Sequence, residues 1–324
     1  MDSNVINILI VGAGQIGSRH LEGAIKNKNQ LSIIIVDKHP IALKTSENLI
    51  KNKSFGNSQT SVTYKKELPK NKSFDICIIA TRADIRASIT KDLLNNCNFK
   101  FMIFEKVLFQ KDQDFIIISN MLREKNVKAW VNCPRRIYSF YQEIKKKINS
   151  KLPVNINVTG SSWDMACNAI HFIDLFSFLV SDSSLNITET NFSENVLKSK
   201  RGENFYEING LIKCIIGKHS LLLSCDEKKD PSLHVKIKNA DIDYSIDEVS
   251  EILVNNINDV QDSKKIKIPY QSDITGDLIN TIINKKCGLV SYENSCKHHI
   301  PLLGVFRKHL SKTLNKEFTE CPIT

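Results

Sequence analysis

Apolar residues follow two different patterns along this chain. Up to about residue 131 they gather into short continuous runs at 5–11, 31–36, 74–80, 101–104 and 127–131, separated by helical or polar stretches. Runs of that length, rich in Val, Ile and Phe, predict strands buried on both faces, and their alternation with helices predicts a parallel, doubly wound α/β sheet. Beyond Lys151 the apolar positions alternate with polar ones, at 154–158, 205–216, 219–224 and 233–237. That period of two predicts half-buried antiparallel strands. Two closing helices are expected at about 277–286 and 292–314. The expected organisation is one domain over residues 1–131 and a second over 132–324.

The first run leads into Gly12-Ala-Gly14-Gln15-Ile16-Gly17, followed by a helix from about Gln15. This strand, glycine turn and helix fit the dinucleotide-binding form of the Rossmann fold. The first glycine makes the tight turn, the second lets a pyrophosphate approach the backbone, and the third packs helix against strand. The helix N-terminus, with Gln15 and Ile16, then faces the phosphates. The second run ends at Asp37, 20 residues after Gly17, where a carboxylate would take the ribose hydroxyls of NAD and repel the extra phosphate of NADP. Lys38, His39 and Arg19 lie close in sequence and leave NADP as the alternative. Ligands of such sheets bind beyond the carboxyl ends of the strands, which singles out Thr81, Glu105 and Lys106, and the stretch from Asn132 to Arg136.

Composition narrows the class. The net charge of +10 comes from lysines mixed with asparagines over the whole length, and no aromatic-rich RNA-binding motif accompanies them. A solvated basic surface, and not a nucleic-acid site, is the expectation. Nine scattered cysteines with no C-x-x-C pair argue for reduced thiols over disulfides or a zinc ribbon. No run approaches the roughly 20 apolar residues of a membrane span, and the first residues carry no secretory pattern, so no membrane partner and a cytoplasmic location are expected. No metal-ligand cluster stands out, and His298-His299 reads as a surface pair on the last helix.

At Glu105-Lys106-Val107 and at the segment from Trp163 to Phe176 the chain resembles the Gfo/Idh/MocA oxidoreductases. Members carry Glu-Lys-Pro after the fifth strand and a helix with D-x-G-x-H-x-x-D. Here Val107 replaces the proline, Cys167 the first aspartate and Ala169 the glycine, while Lys106, His171 and Asp174 fall on the motif. The resemblance implies a C-terminal α/β domain with a large, mostly antiparallel open sheet that supports a homodimer or homotetramer. It also places Lys106 near the nicotinamide and the reacting hydroxyl.

On a helix, Asp164, Cys167, Asn168, His171 and Asp174 share one stripe while the other faces are apolar. Such a buried stripe is costly unless paired or facing a wet cavity, so it reads as a site, with a core histidine satisfied by Asp174 as the competing reading. His171 is the candidate base and Lys106 the stabiliser of alkoxide charge in hydride transfer from a secondary alcohol. Asp174 and Asn168 would orient the histidine and bind neighbouring hydroxyls, which calls for a sugar, nucleotide sugar or polyol. After the last Rossmann strand, Arg135 and Arg136 are candidates to grip a carboxylate or phosphate, Arg136 with the better claim, and Tyr138 to cover a sugar face. A cofactor-binding regulator without catalysis, motivated by Val107 and Cys167, is the alternative function.

Overall fold

The computed structural model describes residues 5–227, 230–257 and 260–324. In chain order the elements begin β1 (Ile6–Val11), α1 (Gln15–Ile25), β2 (Leu31–Val36), α2 (Pro40–Ile50), β3 (Ser61–Lys65), β4 (Lys72–Ile79) and α3 (Ala83–Asn96). They continue with β5 (Cys97–Phe104), α4 (Asp112–Glu124), β6 (Lys128–Val131), α5 (Ser139–Lys147), β7 (Asn155–Ser161), α6 (Met165–Val180) and β8 (Asn186–Phe192). Then come β9 (Leu197–Lys198), β10 (Tyr206–Glu207), β11 (Gly210–Ile216), β12 (His219–Asp226), β13 (Ser232–Asn239) and β14 (Ile242–Asp247). The last are β15 (Ile252–Ile257), β16 (Val260–Lys265), α7 (Gln271–Ile283), β17 (Val290–Ser291) and α8 (Tyr292–Thr313).

These elements form two compact units. The first takes the described residues up to Phe109, with Gln113–Asn132 and Pro269–Tyr292; the second takes Gln110–Asp112, Cys133–Ile268 and Glu293–Thr324. Pro269–Tyr292, far downstream of residue 131, therefore belongs with the N-terminal unit.

In the first unit the sheet order is β17-β6-β5-β4-β1-β2-β3, parallel throughout except for β17 on β6. The apolar runs are the reason: β1, β4 and β5 bury both faces over their last four residues, as the middle of a helix-covered sheet demands. The strand order reverses beside β1, whose neighbours are β2 and β4, and a crevice opens there at the carboxyl ends. The ladder runs one residue past each strand. Gly12 N–H donates to Val36 O (2.8 Å), Ala80 N–H to Val11 O (2.8 Å), Glu105 N–H to Ile79 O (3.0 Å) and Asn132 N–H to Phe104 O (2.8 Å). Asp37, Gly12, Ala80, Glu105 and Asn132 thus stand in one row along the sheet edge.

The second unit is built on a sheet of order β16-β15-β14-β13-β7-β12-β11-β8, with α6 nearly wholly buried. Alternating burial in β12 and β13 matches the period of two. One pairing departs from expectation: β7 and β12 run parallel, not antiparallel. Helix α6 carries the chain from β7 to β8 at the sheet edge, and two antiparallel steps, β8 to β11 and β11 to β12, set β12 beside β7 in the same direction, which alternation alone does not encode. The expected strand over 205–216 is broken at residues 208–209, just ahead of Gly210, whose φ of +129° and contact of a notional Cβ at 2.4 Å from Asn191 O admit no side chain. The His298-His299 pair is fully buried, not on the surface, because it continues the core stripe of Leu302, Leu303, Phe306 and Leu310 along α8. No helix among the described residues is long and apolar enough to cross a membrane.

Candidate functional site

The crevice of the first unit is a cavity of about 500 Å³ lined by Gly12, Gly14, Asp37, Lys38, His39, Lys66, Thr81, Arg82 and Ile85 among others. Gly12 has φ +101°, and a Cβ there would lie 2.8 Å from Ala80 O. A Cβ on Gly17 would fall 1.8 Å from Gly12 O, whereas one on Gly14 would meet nothing within 4 Å. The outer glycines therefore close the loop on the sheet, and Gly14 leaves an open cradle. No side chain caps α1, and Gln15 and Ile16 are exposed at its first turn, so its N–H groups and dipole face that opening.

Asp37 is fastened to the loop. Its Oδ2 accepts from Ala13 N–H at 2.8 Å and its Oδ1 from His39 N–H at 2.9 Å, which fixes the carboxylate with lone pairs to spare for ribose hydroxyls. Across the cavity the Thr81 hydroxyl is buried with no protein partner. An orphaned hydroxyl costs free energy unless a ligand or water meets it. The open cradle, the fixed carboxylate and the orphaned hydroxyl fit a nicotinamide dinucleotide. Arg19 takes no part in the lining; its guanidinium pairs with Glu22 at 2.6 Å on α1. Lys66, which the sequence reading did not single out, does line the cavity, because β3 pairs with β2 and ends beside Asp37.

Glu105 is placed differently from expectation. It does not line the cavity but is buried, its Oε1 meeting His20 Nε2 at 2.9 Å and accepting from Asn132 Nδ2 at 2.5 Å. Burial works to raise its carboxyl, but the hydrogen bonds from His20 and Asn132 and the charge of Lys106 outweigh it and hold the group below the usual glutamate range. The network continues into α7: Asn132 donates to Gln271 Oε1 at 2.7 Å and His20 Nδ1 lies 3.1 Å from Thr275 Oγ1. Lys106 follows, half-buried, joined to Val107 by a cis peptide bond. Beside it Arg86, 2% exposed, donates to the carbonyls of Thr81, Val107 and Leu108. His20 and Arg86 escaped the sequence reading, although each is a polar residue on the apolar stripe of its helix.

In the second unit, α6 carries Cys167, Asn168, His171 and Asp174, while Asp164 precedes the helix at φ +54°. His171 is 9% exposed and Asp174 is 1% exposed. Asp174 does not serve the histidine as expected. It is held in a bidentate pair by Arg136, with Nε and Nη2 each 2.8 Å from a carboxylate oxygen. Burial pushes its carboxyl up to about 6 while Arg136 pulls the other way. Asn168 Nδ2 donates to Trp163 O at 2.8 Å, and the Cys167 thiol is buried 3.5 Å from Asp164 O.

Arg135 grips a carboxylate of the protein itself, pairing with Glu248 through Nε at 2.9 Å and Nη2 at 2.5 Å, and lies over the Phe172 ring. Tyr138 is buried against Phe140 and Tyr141, so its ring is core packing and not an open sugar platform. Arg136 also borders a polar cavity of about 310 Å³ with Lys145, Ser177 and Asn294. The structure thus gathers Gly12, Gly14, Asp37 and Thr81 around one cavity, and sets Arg136 on Asp174 one turn beyond His171.

Residues 6–133 match the model of a family described as oxidoreductases with an NAD-binding Rossmann fold, GFO_IDH_MocA. No curated protein sequence gives a significant match. Among solved structures, a dehydrogenase (MviM) from Clostridium difficile is similar at 15% identity and TM-score 0.70, over 94% of this chain and 99% of that one. The WlbA dehydrogenase from Bordetella pertussis, solved with NADH and UDP-GlcNAcA, is similar at 14% identity and TM-score 0.69, over 95% and 98%. A super-repressor mutant of Gal80p from Saccharomyces cerevisiae is similar at 15% identity and TM-score 0.68, over 95% and 97%. At these identities the likeness is one of fold.

Proposed function

We propose that the chain transfers hydride between a nicotinamide cofactor and a secondary hydroxyl or ketone of a sugar, nucleotide sugar or polyol, a reading supported by the match of residues 6–133 to the model of an oxidoreductase family with an NAD-binding Rossmann fold. The observation that carries the reading is the dinucleotide cavity, with the cradle at Gly14, the fastened Asp37 and the orphaned Thr81 hydroxyl. When bound there, the nicotinamide supplies the two-electron acceptor or donor.

In the oxidative direction the alcohol carbon gives up hydride and the hydroxyl gives up a proton, leaving a ketone. His171 takes the proton, since a neutral imidazole is a base near physiological pH. Lys106 holds the hydroxyl oxygen and stabilises its developing negative charge. Arg136 and Asp174 fix the α6 turn beyond His171, and Arg136 lines the polar cavity, where its positive charge suits an anionic part of the substrate. The Asp37 carboxylate favours NAD, and the Lys38, His39 and Lys66 rim leaves NADP as a second cofactor to test.

A second reading is a cofactor-binding regulator that has lost catalysis, favoured by Val107 and Cys167 at departed motif positions and by a fold shared with Gal80p. Nicotinamide absorbance followed with a panel of sugars, nucleotide sugars and inositols separates the two. Turnover lost in His171→Ala and in Lys106→Ala is expected. Turnover surviving both would sink the residue assignment, and cofactor binding with no turnover on any substrate would favour the regulator.

A further inference from the structure

Arg86 lies on the buried face of α3 with Ala83, Ala87 and Thr90, and is among the largest side chains that the protein encloses. A guanidinium taken out of water is costly unless its N–H groups meet oxygens. They meet three main-chain carbonyls on two separate loops. Nη2 donates to Thr81 O, and Nη1 donates to the carbonyls of Val107 and, at 2.9 Å, Leu108. Thr81 is a wall of the dinucleotide cavity, and Val107 and Leu108 are the two residues after Lys106. On the other side of the lysine, Glu105 is held by His20 and Asn132. The residues on both sides of Lys106 are therefore held by buried side chains, Glu105 through its carboxylate and Val107 and Leu108 through their carbonyls, and Arg86 also bonds the cavity wall at Thr81.

We propose that Arg86 is a positioning residue for Lys106: its guanidinium ties the turn that carries the lysine to the cofactor-facing loop at Thr81. The ammonium then keeps a fixed place relative to the cavity. A planar fork is needed for this, because its separate N–H groups can bond two loops at once, which a single ammonium on a flexible stem does poorly. The functional half of the proposal rests on the reading of Lys106 as the residue that holds the reacting oxygen.

The test is competitive acylation of the full chain with limiting reagent, read by mass spectrometry at each lysine, with Lys100 and Lys111 as internal references. Wild type, Arg86→Met and Arg86→Lys are compared with and without NADH. In Arg86→Met the reactivity of Lys106 relative to the references is expected to change by about fivefold or more. Protection of Lys106 by NADH should weaken in parallel. Arg86→Lys, which keeps the charge but not the fork, should fall between and serves where Arg86→Met does not fold. Relative reactivity and protection that stay within about twofold in the folded variants would overturn the proposal, leaving Arg86 a core brace. If instead Lys106→Ala keeps wild-type turnover, it is the reading of the lysine that fails. A dead Lys106→Ala with labelling unmoved in Arg86→Lys overturns the present proposal alone.

Discussion

Gly14 and Gly17 are glycines for opposite reasons, and substitution separates them. A methyl group on Gly17 would enter the Gly12 carbonyl, so Gly17→Ala must shift the loop or the helix and is expected to cost on the order of 2 kcal/mol or more in urea unfolding. Gly14 has an extended backbone (φ −67°) and open space around its Cα. Gly14→Ala should therefore leave the melting temperature nearly unchanged while weakening NADH binding by about tenfold, roughly 1.4 kcal/mol, in a fluorescence titration. Equal affinity in wild type and Gly14→Ala would show that the cradle is not where the pyrophosphate lies.

Asp174 carries a pH signature at the same scale. Its carboxyl is raised from 3.8 to about 6, so the folded chain binds that proton more tightly than the unfolded chain. The contribution to stability is then full below the unfolded value and lost as pH rises through about 6, on the order of 3 kcal/mol at most. Urea unfolding at a series of pH values should show wild type losing stability relative to Asp174→Asn between about pH 4 and 6.5; parallel curves would contradict the raised carboxyl. What was legible residue by residue follows from spacing. Asp37 and the glycines announce themselves because the turn needs them at fixed intervals. Arg86, His20 and the partners chosen by Asp174 and Arg135 do not, since a carbonyl or carboxylate acceptor becomes visible only once the chain has folded.

Among the elements, those with a strong hydrophobic signal were read well. The β2 bounds agree with the run at 31–36, and α8 with the expected 292–314 to within a residue at its end. Among the elements missed, β3 and β8 are edge strands whose residues are largely exposed and β17 is too short to show a period, whereas the alternation of β14, an interior strand, went unread. On α8 the pattern was read but not its face, because two histidines look polar in a sequence. Their burial makes a prediction. Both ring nitrogens of His298 are buried without a protein partner, and burial together with the charges of Arg136 and Lys297 pushes the ring down to about 3, so it is neutral. An unsatisfied buried polar group is a liability, and His298→Leu should raise stability by about 1 kcal/mol in chemical denaturation. A loss of that size would mean that an internal water or ligand satisfies the imidazole.

The whole molecule departs most from its sequence in how the chain is shared between its units. Period and composition mark the change of pattern near residue 131, but nothing local in Pro269–Tyr292 says that it returns to the first unit. The reason lies in α1 and α7. A Cβ on Gly23 would be 2.8 Å from Thr275 Cβ and one on Gly276 would be 3.1 Å from Gly23 O, so the two helices meet almost backbone to backbone. Asn27 Nδ2 donates to Gly276 O at 2.8 Å and to Asn280 Oδ1 at 2.9 Å, and Leu278, Ile279 and Ile282 are buried from α7. Burying three such side chains is worth roughly 5–9 kcal/mol, comparable with the entire stability of an ordinary domain. A fragment of residues 1–132 lacks that helix, the Gln271 and Thr275 partners of the His20 network, and the β17 cover on the β6 edge. It is expected to show little cooperative unfolding by circular dichroism and no saturable NADH binding. Joining residues 269–292 to it through a flexible linker should restore both. If the short fragment alone unfolds cooperatively and binds NADH as tightly as the full chain, α7 is an accessory to the dinucleotide unit; if only the joined fragment does, the cofactor site depends on a stretch of chain some 140 residues beyond the last strand of the Rossmann core.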